Sequence, residues 1–174
     1  MDDTQNTPFV LSIIRGLPGS GKSTFAMKHF PNVLHLENDM LHMKSGKYMF
    51  DVDEQSGRMM RILNMTHMAL EAQADVVVSD VFATLKSIRF YVSKGYTCGA
   101  KVEIYRMAGD NFGNVHSVPR NIFESMKNHF TDIPEGRIYD NVKPGDPSYD
   151  WMWPKEKFVY PQADGTYRIL EEKV

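Results

Sequence analysis

Residues Gly16-Leu-Pro-Gly-Ser-Gly-Lys-Ser23 fit the pattern G-x-x-x-x-G-K-[ST], the Walker A phosphate-binding loop. Gly16, Gly19 and Gly21 permit a tight turn whose backbone N–H groups face inward, where a β-carbon would obstruct them. Lys22 brings a positive charge to the β- and γ-phosphates of a nucleoside triphosphate, and Ser23 offers a hydroxyl to Mg²⁺. Leu17, Pro18, Ser20 and Thr24 complete the stretch expected to line the triphosphate. The helix expected next adds its positive N-terminal end.

With glycine at about 7% of residues, a chance match in a chain of 174 residues is a roughly one per cent event. The flanks strengthen the reading. Phe9-Val-Leu-Ser-Ile-Ile-Arg15 is a short, β-branched apolar run, as a buried strand would be. Ser23 to Phe30 suits a helix stopped by Pro31. Strand, loop, helix is the order the motif requires.

Outward from the loop, the elements alternate. Val33 to Leu36 reads as a second strand, with Glu37-Asn-Asp39 at its carboxyl end. Residues 40–52 look irregular. Asp53 is placed to cap a helix over 54–74, with Met59, Ile62, Leu63, Met65, Ala69, Leu70 and Ala72 on its apolar face. Val76-Val-Val-Ser-Asp80 is the clearest strand. A helix over 84–93 turns Leu85, Ile88, Tyr91 and Val92 inward, with Gly95 as its stop. A further strand falls over Lys101–Tyr105. Ser117-Val-Pro119 opens another helix whose apolar face is Ile122, Met126 and Phe130. This alternation implies an α/β fold of three layers, a mostly parallel sheet with helices on both faces. Ligands in such sheets sit at the carboxyl ends of the strands, which gathers Gly16–Thr24, Asp39, Asp80 and Arg106 at one edge.

The reading divides the chain into a nucleotide-binding domain over 1–130 and an aromatic-rich extension over 131–174 packed on it. In the extension, Lys157–Tyr160 and Thr166–Leu170 flank Asp164-Gly165, a hairpin signal, so a β-hairpin-like appendage is expected. Hydrophobic residues make up 42% of the chain, enough for one substantial core. The formal net charge of −2 excludes a globally basic nucleic-acid binder, so any such contact must be a local patch. Cys98 is the single cysteine; it is read as an inert packing residue in a strand, and it fits a reducing cytoplasm. Met1 to Pro8 is polar, without the features of a secretory signal, and no apolar stretch approaches a membrane span. A cytoplasmic location is expected, the host cytoplasm if the chain is viral. Methionines crowd the helix predicted over 54–74 and read as core packing. Oligomeric state is not legible.

Two carboxylates stand out. Asp39 either takes a proton from an attacking hydroxyl or caps a helix, and spacing alone leaves both open. Asp80 ends a run of valines, as a Walker B aspartate does, and is a candidate to hold Mg²⁺, directly or through water; the alternative is a cap or turn. His42, Arg106, His116 and Arg120 are candidates for contact with phosphate or substrate, each with a solvated-surface alternative.

Over residues 9–130 the chain resembles the P-loop kinase family that includes the phage-type polynucleotide 5′-hydroxyl kinases. The features that carry the resemblance are Gly16 to Thr24, Leu36-Glu-Asn-Asp39, Val76 to Asp80, and Asn114-Val-His-Ser-Val-Pro119 followed by Ile122 and Met126. The resemblance implies a P-loop kinase-type fold, ATP and Mg²⁺ as cofactors, and phosphoryl transfer to a hydroxyl of a nucleic acid or nucleoside-like acceptor. It implies Asp39 as general base, Lys22 and the loop amides on the β/γ-phosphates, and Ser23 and Asp80 on Mg²⁺. Asp39, His42 and His116 are the candidates for contact with the acceptor. The chain departs from the family at three points. His42 stands where the family often has a substrate-gripping arginine, Met40 where it has a second aspartate, and Gly113 where the lid supplies an arginine. Arg106 and Arg120 are the candidates to replace that lid cation. Without a replacement, a nucleotide-binding module without turnover is a competing expectation; the near-neutral charge favours another, a kinase for a small molecule or nucleotide.

Overall fold

Val10–Arg15 (β1) is buried along almost its whole length because it sits in the middle of a sheet that is covered on both faces. The computed structural model describes residues 8–37, 43–44, 47–48, 55–109 and 118–173. Within them the chain runs from β1 into Lys22–His29 (α1), Leu34–Glu37 (β2), the short pair Met43–Lys44 (β3) and Lys47–Tyr48 (β4), and Gln55–Glu71 (α2). Then follow Val76–Asp80 (β5), Leu85–Thr97 (α3), Lys101–Met107 (β6), Arg120–Asn128 (α4), Glu156–Pro161 (β7) and Tyr167–Leu170 (β8).

The main sheet has the order β2-β5-β1-β6-β7-β8 among the described residues. β1 pairs in parallel with β5 and β6, which puts Arg15, Asp80 and Arg106 level with one another at its carboxyl edge. Side-chain alternation sorts the core into two layers. Leu11, Ile13, Val76, Val78, Val102 and Ile104 face Ile62, Leu63 and Leu70 of α2 and Ile88, Tyr91 and Val92 of α3. On the other face, Ile14, Val77, Tyr105, Met107 and Val159 pack against Phe25 and Ala26 of α1. The fold is therefore the expected three-layer α/β arrangement.

The hairpin at the end of the chain forms, with β7 and β8 antiparallel. It is joined to the sheet, because β7 pairs in parallel with β6 from Ile104↔Glu156 to Met107↔Val159. Between α4 and β7, Ile138 and Trp153 enter the α2/α3 side of the core. There the Tyr96 hydroxyl donates to the Met152 carbonyl at 2.8 Å.

Several elements differ from the sequence reading. Gly95 does not stop α3, which runs on to Thr97. Its glycine is needed for contact: a β-carbon there would lie 2.5 Å from Val102 Cγ2 and 3.0 Å from Leu11 Cδ2. Cys98 is the C-cap of α3, not a strand residue. In α2, Met59 and Met65 are exposed along with Met60 and Met68, and Ala72 lies exposed beyond the helix end, while Arg58 and Thr66 are buried. Thr66 tolerates burial because its hydroxyl donates to the Ile62 carbonyl at 2.8 Å. α4 has Pro119 at its N-cap and no buried residue, so the expected apolar face does not enter the core among the described residues. Within 40–52, expected to be irregular, Met43–Lys44 and Lys47–Tyr48 form the β3–β4 pair. Asp53 and Ser117 lie outside the described residues.

Candidate nucleotide-binding site

The loop after β1 turns back on itself and delivers α1 with its N-terminus at the sheet edge. Gly21 is the N-cap at φ 85° and ψ 19°, a left-handed conformation that any side chain would strain, and its carbonyl accepts from Phe25 N–H at 2.9 Å. Gly19 is also left-handed, at φ 77°. Among the described residues no side chain caps α1, so its first N–H groups are left as donors at the loop. Gly16 N–H donates to the Val81 carbonyl at 3.3 Å, tying the loop to the exit of β5. Just beyond, Phe82 is held at φ 43°, an uncommon conformation for an aromatic residue, at the carboxyl edge where function concentrates.

Lys22 opens α1. Its Nζ donates to the carbonyls of Gly16 at 3.0 Å and Leu17 at 3.1 Å, so the ammonium lies over the loop. Ser20 Oγ is buried with no hydrogen-bond partner among the described residues, a donor the loop itself does not satisfy. A left-handed glycine loop, an uncapped helix N-terminus, a lysine and a spare hydroxyl together make a cradle suited to a polyphosphate.

Beside the cradle stands a carboxylate that the sequence reading did not single out. Ser23 Oγ donates to Glu37 Oε2 at 2.5 Å, and Ser79 Oγ donates to the same oxygen at 3.2 Å. His35 Nε2 is 2.7 Å from Ser79 Oγ. Since the Ser79 proton goes to Glu37, the His35 ring proton is assigned to Nε2 as donor. Burial lowers the His35 pKa, against the opposing pull of Glu37, which keeps the ring neutral. Strand pairing predisposes this cluster, because Glu37 and Ser79 are register partners on adjacent parallel strands. Local spacing carries no signal for it, since Glu37 and Ser79 are 42 residues apart.

Asp80 falls on the opposite side of β5 from Ser79, by strand alternation. One of its oxygens accepts from Val81 N–H at 2.7 Å, and its charge combines with burial to push the Tyr91 hydroxyl well above its usual range. The Ser23 hydroxyl and the Glu37 carboxylate stand together beside the phosphate cradle, and oxygen donors of this kind suit a hard divalent cation; Asp80 lies at the carboxyl end of the adjacent strand.

Arg106 lies at the carboxyl end of β6, ion-paired with Asp132 and 3.6 Å from Glu156, with its guanidinium 4.7 Å from the Phe130 ring centroid. Arg120 is exposed at the start of α4. Asp39, His42, His116 and Gly113 lie outside the described residues. Among the described residues no helix is long and apolar enough to cross a membrane.

No protein-family model matches the chain. A curated relative does: over 140 residues, 71% of this chain and 78% of the other, it is 30% identical to the uncharacterized protein PM0531 of Pasteurella multocida strain Pm70. The chain belongs to the family of PM0531. Solved structures similar to this PM0531-family chain add the fold. A chain of the Pnkp1/Rnl/Hen1 RNA repair complex matches with a TM-score of 0.59 and 19% identity over 74% of this chain and 47% of that one. The protein therefore spans about half the length of that solved chain. An unliganded sugar kinase from Janibacter sp. HTCC2649 matches at TM-score 0.55 and 10% identity, covering 88% and 86% of the two chains. The AvrRxo1-ORF1:-ORF2 complex with ATP matches at TM-score 0.57 and 16% identity, covering 96% and 59%. These likenesses show that the PM0531-family chain has the P-loop kinase fold.

Proposed function

We propose that this protein catalyses ATP- and Mg²⁺-dependent phosphoryl transfer to a hydroxyl group on a nucleic acid, either a 5′-hydroxyl end or a hydroxymethylated base. The observation that carries the reading is the glycine loop at the N-terminus of α1, with Lys22 over the loop, Ser23 against Glu37, and Asp80 level with the end of β1. In this reading Lys22 and the loop N–H groups hold the β- and γ-phosphates, and Ser23 and Asp80 hold Mg²⁺. Mg²⁺ held there would supply charge neutralisation for the transferring phosphoryl group. Asp39 accepts the acceptor's hydroxyl proton, and His42 and His116 contact the acceptor. Arg106, engaged by Asp132 and Glu156, and exposed Arg120 are the two candidates to supply the missing lid charge. The acceptor class rests on the resemblance in the loop and in the segments around Asp39 and His116, and is supported by the fold shared with the RNA repair complex.

The net charge of −2 favours a second reading, a kinase for a small molecule or nucleotide. Gly113 at the lid arginine position favours a third, a nucleotide-binding module without turnover. Incubation with γ-labelled ATP and 5′-hydroxyl oligonucleotides, hydroxymethyl-base DNA and free nucleosides in competition separates them. Label on either nucleic acid supports the proposal. Label on the nucleoside alone selects the second reading, and ATP binding with no label on any acceptor selects the third.

A further inference from the structure

We infer that Glu37 is the positioning residue for the metal-binding hydroxyl of Ser23. The inference deepens the proposed function and rests on it for the identity of the cation. A serine hydroxyl can ligate a cation well only if its own proton points away from the ion, leaving a lone pair forward. In this structure the Ser23 proton has a defined acceptor: Glu37 Oε2, 2.5 Å away. The carboxylate is itself held in place. The same oxygen accepts from Ser79 at 3.2 Å, and Ser79 Oγ lies 2.7 Å from His35 Nε2. A partly buried chain of donors therefore runs from His35 through Ser79 to Glu37, and Glu37 in turn fixes Ser23.

Asp80 does not take this part. Alternation turns Ser79 toward Glu37 and α1 and turns Asp80 toward Tyr91 of α3. Glu37 therefore orients the serine from the α1 face of the sheet, and Asp80 lies on the α3 face of β5. Glu37 comes from a strand edge that the loop motif does not include, which is why the motif alone assigns it no role. Removing a residue that orients a metal ligand generally weakens metal affinity by about 10- to 100-fold.

The test measures ATP affinity calorimetrically with Mg²⁺ and with EDTA, in wild type, Glu37→Gln, Ser23→Ala and the double variant. The ratio of the two affinities is the metal enhancement. Glu37→Gln is expected to cut that enhancement by about tenfold or more while leaving the affinity in EDTA unchanged or higher, since a negative charge beside the phosphates is gone. The double variant is expected to be no worse than Ser23→Ala, because Glu37 acts through Ser23. Wild-type enhancement in Glu37→Gln overturns the inference. So does an equal loss in EDTA, which marks a purely structural residue, and so do additive losses in the double variant. Wild-type protein that binds no ATP in either condition overturns the proposed function, and this inference with it. Unaltered ATP enhancement in Glu37→Gln overturns the inference alone.

Discussion

Arg15 is the last residue of β1, one position before the phosphate loop, and it is fully buried. Its guanidinium donates to Glu156 at 3.0 Å and to the Thr131 carbonyl at 2.7 Å, and stacks 4.3 Å from the Phe130 ring centroid. Burial lowers the Arg15 pKa and raises that of Glu156, each shift opposed by the partner's charge. A charge so placed is costly to orphan. Glu156→Ala is expected to destabilise the fold by about 3–5 kcal/mol in urea unfolding; a loss under about 1 kcal/mol would contradict this account of the pair. Glu103 makes a pH prediction. Burial alone would raise its pKa, but hydrogen bonds from Lys101, Tyr105 and Lys157 outweigh it and hold the carboxyl at about 2, below its usual 4.5. That stabilisation is complete above pH 4.5 and is lost as pH falls toward 2. Glu103→Gln should therefore cost about 1–2 kcal/mol at neutral pH and little near the acid limit, read from urea midpoints at the two pH values. Equal losses at both would refute it. Lys22 and Ser23 were legible in the sequence because the loop's chemistry is set by covalent spacing. Arg15 and Glu37 were not, because their partners arrive by folding: Glu156 is 141 residues from Arg15.

At the scale of elements, the strands and their order were readable from β-branched runs and alternation with helices. The helix faces were less so. Apolar spacing in α2 assigned Met59 and Met65 to the core, yet Arg58 and Thr66 are buried and the methionines are exposed. Methionine is a good helix former wherever it sits, so its presence marks a helix without marking its inner face. Gly95 was read as a helix stop by residue type, whereas its role is to let α3 approach β1 and β6. Gly95→Ala gains about 1 kcal/mol of helix propensity but places a methyl against Val102 and Leu11. Overpacking of about 1–3 kcal/mol should win, giving a lower melting temperature. A higher melting temperature would show that the contact relaxes at little cost.

Over the whole molecule, the hairpin at the end of the chain reaches back to the phosphate loop. β7 covers the edge of β6 and carries Glu156 to Arg15. Truncation after residue 155 would expose that edge and strand a buried guanidinium, so the shortened protein is expected to aggregate or lose cooperative unfolding. A soluble truncated protein with a sharp melting transition would contradict this coupling. The proposed activity requires the loop to be a nucleotide site. Its most direct test is equilibrium binding of ATP with Mg²⁺ to wild type and to Lys22→Met. Wild type is predicted to bind, and Lys22→Met to bind about 10- to 100-fold more weakly, the worth of a charged hydrogen bond. No ATP binding by wild type, or equal binding by the variant, would contradict it.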